Sequence, residues 1–306
     1  LIRNYIMEEK IFDLSDNKCA AISDIIRGEK PSLSFEVFPP KQESNYESVN
    51  EAVKKIAELK PSYMSVTYGA GGSTSKHTVS IATEIKNDFG VTPLAHLTCV
   101  ASNKKDIINR LKQLQECGVT NVLALRGDIP EGFDSDNGDY KYAAELIKDI
   151  KDFGGFCIGG ACYPEGHPES GTYENDIKYL KEKVDMGCEF LTTQMFFDNN
   201  ILYNFMYRIR EAGIKVPVIA GIMPVTNSKQ IKRICGISGT LLPQRFRRIV
   251  DRYGNNTLAM KQAGIAFATE QIIDLYANGI NAVHVYSMNN PEVAKQIQKN
   301  ISEIIK

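Results

Sequence analysis

Short, nearly unbroken apolar runs punctuate the chain at residues 33–38, 63–68, 94–99, 121–125, 156–163, 190–195, 216–222 and 282–287. A strand solvated on one face alternates apolar with polar residues, whereas a strand covered on both faces is apolar throughout. These runs therefore predict buried parallel strands. Between them the period changes. Val49, Ala52, Val53, Ile56 and Ala57 recur at helical spacing, as do Ile107, Ile108, Leu111 and Leu114, and Tyr142, Ala143, Leu146, Ile147 and Ile150. Such spacing lays one apolar stripe along a helix. Asn103, followed three residues later by Asp106, predicts a helix start. Gly118, Gly187, Gly213 and Gly279 each close a helical stretch just before a strand, where a residue without a Cβ suits the left-handed cap.

Eight strands alternating with helices predict a (β/α)8 TIM barrel, and a doubly wound parallel sheet is the alternative the pattern leaves open. The first seven strands are spaced by roughly 30 residues, one βαβ unit each. The seventh and eighth lie farther apart, so extra helices near 230–235, 242–253 and 257–277 must fill that interval. A short helix at about 15–28 is expected before the barrel. No low-complexity linker divides residues 1–306, and a single catalytic domain is expected.

Lys plus Arg number 36 and Asp plus Glu 37, a net charge of −1. No overall field draws in nucleic acid or an anionic membrane, so an anionic ligand must be held by local groups. No apolar run reaches the ~20 residues that span a bilayer. The N-terminal stretch carries four acids between Glu8 and Asp16 and lacks the apolar core of a signal peptide, and Met7 reads as a natural start. The seven cysteines are odd in number and scattered without a C-x-x-C, which disfavours a disulfide framework or a structural zinc site and suits a reducing cytoplasm.

Chemistry in such a barrel sits at the C-terminal ends of the strands. The first ends in Ser34-Phe35-Glu36-Val37-Phe38-Pro39-Pro40. A carboxyl inside an apolar strand either finds a buried cation or stays protonated, and the second outcome suits a general acid. The second strand runs into Gly69-Ala70-Gly71-Gly72, a possible phosphate cradle, although Thr74 breaks G-x-G-x-x-G and a plain turn explains it equally. His96 in the third strand suits a core histidine as readily as a ligand contact. His77, His167 and His284 show no metal-ligand spacing. The fourth strand ends in Arg126-Gly127-Asp128, the fifth in a loop displaying Tyr163 and His167, and the sixth in Gln194. An ion pair at a turn, a rigid loop and ladder-end hydrogen bonding are the bland readings of these three. Polar groups at the ends of most strands nonetheless suggest a ligand in the barrel mouth.

Taken together and in order, SFEVFPPK, SVTYGAGGS, HLTC, ALRGD, YPEGHPES, TTQMFFD and GIMPVTN resemble the 5,10-methylenetetrahydrofolate reductase family, bacterial type, over nearly the whole chain. The resemblance implies non-covalent FAD at the strand ends, reduced by NADH or NADPH. The folate then binds where the nicotinamide was and takes the hydride. Carried over motif by motif, Glu36 is the general acid and Asp128 the second catalytic residue. FAD contacts are implied for Thr67, His96, Leu125, Arg126, Gly127, Asp128 and Tyr142. Further ones are implied for Ala143, Ala161, Tyr163, His167, Asp176 and Lys183. Substrate contacts are implied for Glu36, Asp128, Gln194 and Gln230.

The residue types fit that chemistry. The five-membered ring of the substrate must open to a 5-iminium cation before it accepts hydride, and a protonated Glu36 assists by protonating N10. Asp128 can hydrogen-bond the pterin edge and offset the cation. Arg126 and Lys183 are local cations for a pyrophosphate. Ile234 departs from the Phe of well-known bacterial members, Asn290 stands near an Arg of some, and Tyr179 replaces a smaller amide residue. A homo-oligomer is expected. Two rival readings are an FAD-binding subunit that needs a partner protein as electron donor, and a sugar- or aldol-type barrel. The strand ends show neither the paired carboxylates nor the Schiff-base lysine of the latter.

Overall fold

The computed structural model describes residues 18–40, 42–68, 75–129, 132 and 138–306. Eight parallel strands close on one another in chain order: β1 (Ser32–Val37), β2 (Met64–Val66), β3 (Pro93–Thr98), β4 (Asn121–Leu125), β5 (Cys157–Cys162), β6 (Phe190–Thr193), β7 (Val218–Ile222) and β8 (Ala282–Val285). Closure of β8 onto β1 makes a barrel and excludes the doubly wound sheet. The helices are α1 (Ile22–Ile25), α2 (Tyr46–Ala57), α3 (Ser75–Asn87), α4 (Lys104–Glu116), α5 (Ala143–Phe153), α6 (Tyr173–Asp185), α7 (Asn199–Glu211), α8 (Ser228–Ser238), α9 (Gln244–Tyr253), α10 (Thr257–Ala277) and α11 (Pro291–Asn300). The expected extra helices are α8, α9 and α10. Asn103 caps α4 as expected, its side chain accepting the Asp106 N–H at 2.9 Å.

Successive residues of a strand face opposite ways. Leu33, Phe35 and Val37 of β1 pack outward with Met64, Val66, Ala95 and Leu97 against the helices. The residues between them, Ser34 and Glu36, are left facing the barrel interior. The lower interior is filled by Tyr63, Leu94, Leu123, Phe190 and Ile219 with Ile22 and Ile26, so α1 plugs the foot of the barrel. Buried Asn121 holds the plug. It accepts the Ile22 N–H at 3.0 Å and donates to the Ala20 carbonyl at 3.0 Å and the Pro93 carbonyl at 3.3 Å. Within the described residues α1 is therefore shorter than the helix expected at 15–28. Asn121 takes the backbone groups on either side of Ala21, and residues 18–21 are not helical. The start of that expected helix lies outside the described residues.

A third apolar cluster joins Met195, Phe197, Met223 and Val225 at the ends of β6 and β7 to Ile231, Phe246, Val250, Met260 and Phe267 of α8–α10. Phe246 stacks between Phe197, at 5.2 Å, and Phe267, at 4.2 Å. This cluster seats the extra helices beside the barrel mouth. No helix among the described residues is long and apolar enough to cross a membrane.

Gly264 lets α10 cross the loop after β7 in direct backbone contact: a Cβ there would lie 1.8 Å from the Val225 carbonyl oxygen. Helix propensity alone makes Gly→Ala stabilising by ~1 kcal/mol. Here the sign reverses, and Gly264→Ala is expected to cost roughly 1–3 kcal/mol in urea denaturation, as overpacking does. An unchanged or raised stability would contradict the packing of α10 on that loop.

Candidate active site

The C-terminal ends of the strands enclose a cavity of about 420 Å³. Its wall includes Glu36, His96, Leu125, Ala161, Tyr163 and Gln194, each singled out in the sequence. A smaller cavity of about 140 Å³ shares Ala161 and Tyr163 with it and continues toward α6, where Tyr142, His167, Asp176 and Lys183 line it. The two form one trough, wide over the barrel axis and narrow over β5.

Glu36 reaches the central cavity from β1. Its side chain is 17 % exposed, and its Oε2 lies 3.8 Å from Nε2 of His96 on β3. That distance is too long for a hydrogen bond. His96 Nε2 is buried without a hydrogen-bond partner among the described residues. Burial pushes the Glu36 carboxyl up to about 8 and the His96 imidazole down to about 4. At neutral pH both groups are uncharged, a protonated acid facing a neutral base. Such a site suits the proton-bearing Glu36 expected from the sequence, and among the described residues no Arg or Lys forms an ion pair with it.

The layer below Glu36 is neutral among the described residues. The Ser34 hydroxyl donates to the Val283 carbonyl at 3.0 Å, so it accepts from His284 Nδ1–H at 2.7 Å, and His284 Nε2 then accepts from Ser65 at 2.8 Å. Tyr63 stacks on the imidazole at 5.5 Å. Both nitrogens are used with the ring neutral, and burial pushes its pKa down to about 3. Tyr286, whose hydroxyl donates to the Thr193 carbonyl at 2.5 Å, completes a neutral surround.

Among the described residues that line the two cavities, Lys183 and Asp176 stand along the narrow end. Lys183 is buried on α6, donates to the Ala161 carbonyl at 3.0 Å, and is held below its ordinary pKa by burial. Burial raises the Asp176 carboxyl. Arg126, read as a local cation for a pyrophosphate or as half of an ion pair at its turn, is ion-paired, though with a residue outside that turn. Glu169, on the loop after β5, holds its guanidinium through two bonds of 2.5 and 2.8 Å.

Thr67, Arg126, Gly127, Asp128 and Ala143 line neither cavity. Thr67 is half-buried after β2, Ala143 is buried at the start of α5, and Asp128 is exposed on the loop after β4. Gly127 has a φ of +86°, and a Cβ there would sit 3.0 Å from Thr98 and Val100, so this strand tip admits no side chain. The side chain of Gln230 and the Gly-rich turn at 69–74 lie outside the described residues. Of the departures, Ile234 lines the central cavity and Tyr179 the narrow one, while Asn290 caps α11 by accepting the Val293 N–H at 3.2 Å. Sequence reasoning missed Thr192, Thr193, Met195, Met223, Tyr286 and Met288 in the cavity wall. Apolar and hydroxyl residues carry no chemical signal until the fold gathers them.

Fold and cavity together define a ligand-binding (β/α)8 barrel with an uncharged acid at its strand ends. The family model for methylenetetrahydrofolate reductase matches residues 21–302. The chain belongs to this family. It is 34% identical over 299 residues to methylenetetrahydrofolate reductase (NADH) 1 of Arabidopsis thaliana, covering 92% of this chain and 50% of the relative. It is 33% identical over 267 residues to the 5,10-methylenetetrahydrofolate reductase of Pectobacterium carotovorum, covering 87% of this chain and 88% of the relative. The Escherichia coli counterpart is 32% identical over 266 residues, covering 87% and 89%. The chain thus spans about half the length of the plant relatives and most of the bacterial ones. Among solved structures, a Clostridium thermocellum protein that binds two copies of 5-methyl-5,6,7,8-tetrahydrofolic acid shares the fold, with a TM-score of 0.65, 13% identity, and coverage of 93% of this chain and 100% of that one.

The neutral acid has a thermodynamic signature. Glutamate ionises near 4.5 when unfolded but at about 8 in the folded chain. Between those values the folded state holds more protons, so stability falls as pH rises through that window. Glu36→Gln removes this loss. Its stability relative to wild type should grow across the window and level off above it, by roughly 2–5 kcal/mol. Urea unfolding of both proteins at the two ends of the window checks this, and a difference independent of pH would refute the assignment.

Proposed function

We propose that this chain reduces 5,10-methylenetetrahydrofolate to 5-methyltetrahydrofolate, with electrons from NADH or NADPH passing through bound FAD. The observation that carries the reading is the uncharged Glu36 carboxyl in the wall of the central cavity. The family, the bacterial relatives matched over most of their length, and the NADH in the names of plant relatives support it.

The residues present suit FAD. The wide part of the trough has apolar walls and two buried polar atoms without hydrogen-bond partners among the described residues, His96 Nε2 and Thr192 Oγ1, to meet the edge of a heterocycle. The narrow part offers the buried ammonium of Lys183 to a diphosphate, with Tyr142, His167 and Asp176 beside it. Leu125, Ala161 and Tyr163 connect the two. Thr67, Ala143 and the β4 tip of Arg126, Gly127 and Asp128 complete the cofactor set at the rim. The chemistry a bound flavin supplies is hydride transfer, from the nicotinamide in one half-reaction and to the folate in the other.

Glu36 does the proton chemistry. It donates its proton to N10 of the folate as the bond from that nitrogen to the bridging carbon breaks, leaving a 5-iminium carbon to accept hydride. The resulting carboxylate lies in a wall without a compensating cation and regains a proton before the next turnover. Gln194 hydrogen-bonds the ligand in the cavity, Gln230 is a further substrate contact carried over from the family motifs, and Asp128 offsets the iminium charge from the rim.

The purified protein should be yellow, bleach anaerobically with NADH or NADPH, and recover its colour with methylenetetrahydrofolate. A chain that binds no flavin sinks the reading, and one reduced only by another protein points to the electron-transfer subunit. Glu36→Gln should slow folate reduction by about 10²–10⁴-fold, the usual worth of a general acid, with reduction by the nicotinamide intact. Lys183→Met should weaken FAD binding by about tenfold or more in flavin-fluorescence titration, the value of one charge-assisted hydrogen bond. Equal affinity would remove Lys183 from the diphosphate site.

A further inference from the structure

Strand β8 ends in a turn of unusual backbone. Met288 and Asn289 have left-handed φ angles of +54° and +51°, and the Asn290 N–H donates to the Ser287 carbonyl at 3.0 Å. Asparagine tolerates this conformation. For methionine it is strained, and it persists only where the surroundings impose it. Three contacts to β1 do so. The Ser287 hydroxyl donates to the Glu36 carbonyl at 2.7 Å. The Asn289 amide donates to the Phe38 carbonyl at 2.8 Å and accepts the Phe38 N–H at 2.9 Å.

These contacts begin where the sheet stops. Pairing between β1 and β8 ends at Phe35 with Val285, so on that side no strand partner reaches the backbone from Glu36 to Phe38. Two side chains of the turn supply the bonds the ladder would have made. Strand pairing on the other side continues one residue beyond Glu36, to Val37 with Val66.

We propose that the turn at 287–290 is a positioning device for the proton donor: Ser287 and Asn289 pin the backbone at Glu36 and just beyond it and keep its carboxyl in the cavity wall facing His96. Without them the end of β1 is held on one edge only, and the carboxyl is free to turn toward water. Asn289 and Ser287 are positioning residues, since they touch β1 rather than the ligand. The catalytic consequence rests on the general-acid reading of Glu36, whereas the contact itself does not.

Asn289→Gly is the informative variant, because glycine keeps the left-handed turn at no steric cost and removes both bonds to Phe38. The stability gained by Glu36→Gln above pH 8 should shrink to less than half in the Asn289→Gly background, as the released carboxyl hydrates and ionises. Folate reduction should slow by about 10- to 100-fold, as misplacement of a reacting group does, while flavin reduction by the nicotinamide changes less than about twofold. A purely structural contact would lower stability equally at every pH and leave the Glu36→Gln gain intact, which overturns the proposal. So does folate turnover unchanged by the variant. If Asn289→Gly does not fold, Ser287→Ala, which deletes only the bond to the Glu36 carbonyl, carries the same comparison. A protein that binds no flavin would refute the proposed reaction, and the stability comparison would still decide whether the turn positions Glu36.

Discussion

A carboxyl group inside a parallel barrel has two ways to exist: beside a cation, or without its charge. The mouth of this barrel takes the second. Glu36 faces a histidine that is itself neutral, and beneath them Ser34, Ser65 and His284 satisfy one another without formal charge. Had an arginine stood in place of His96, Glu36 would be an ordinary buried carboxylate with no proton to give near neutrality. The surrounding apolar strands, which fold because they exclude water, are also what keeps the acid protonated. Stability and proton chemistry therefore pull against each other at one residue.

Charge is handled differently along the trough. Over the barrel axis the walls are apolar or neutral, suiting a flat conjugated ring. Over β5 a buried ammonium, that of Lys183, lies among polar groups, while the Arg126 guanidinium at the rim is already matched by Glu169. A chain of net charge −1 has no overall field to draw in an anion, so the diphosphate site proposed for it rests on a few local groups. The aromatic stack of Phe197, Phe246 and Phe267 anchors α8–α10 beside the mouth, so the interval between β7 and β8 builds a wall of the cavity, including Ile234.

Much of this was legible before the fold. Unbroken apolar runs located every strand to within a few residues, because a strand buried on both faces has no solvent-facing position to break the run. Glu36 stood out as the one acid in such a run, and Tyr163, His167 and Gln194 stood at strand ends where the fold does place them beside a cavity. Less visible were residues whose role is geometric. Tyr286, Met223 and Thr192 look like core or strand residues in the chain, and Asn289 looks like a loop asparagine. The partner of Arg126 was not legible, because Glu169 lies 43 positions away, a separation no local pattern reports.

The sequence by itself determined the alternation of strands and helices, the extra helices after β7, and the presence of an acid and a histidine in motifs of known kinship. Those are properties of periodicity and residue type, which neighbouring positions carry. Only the tertiary structure decided that the sheet closes, that Glu36 meets His96 rather than a cation, and that two side chains of the last turn complete the hydrogen bonding of the first strand. Each joins residues distant in the chain, and whether a buried group keeps its charge depends on what the closed barrel brings within a few ångströms of it.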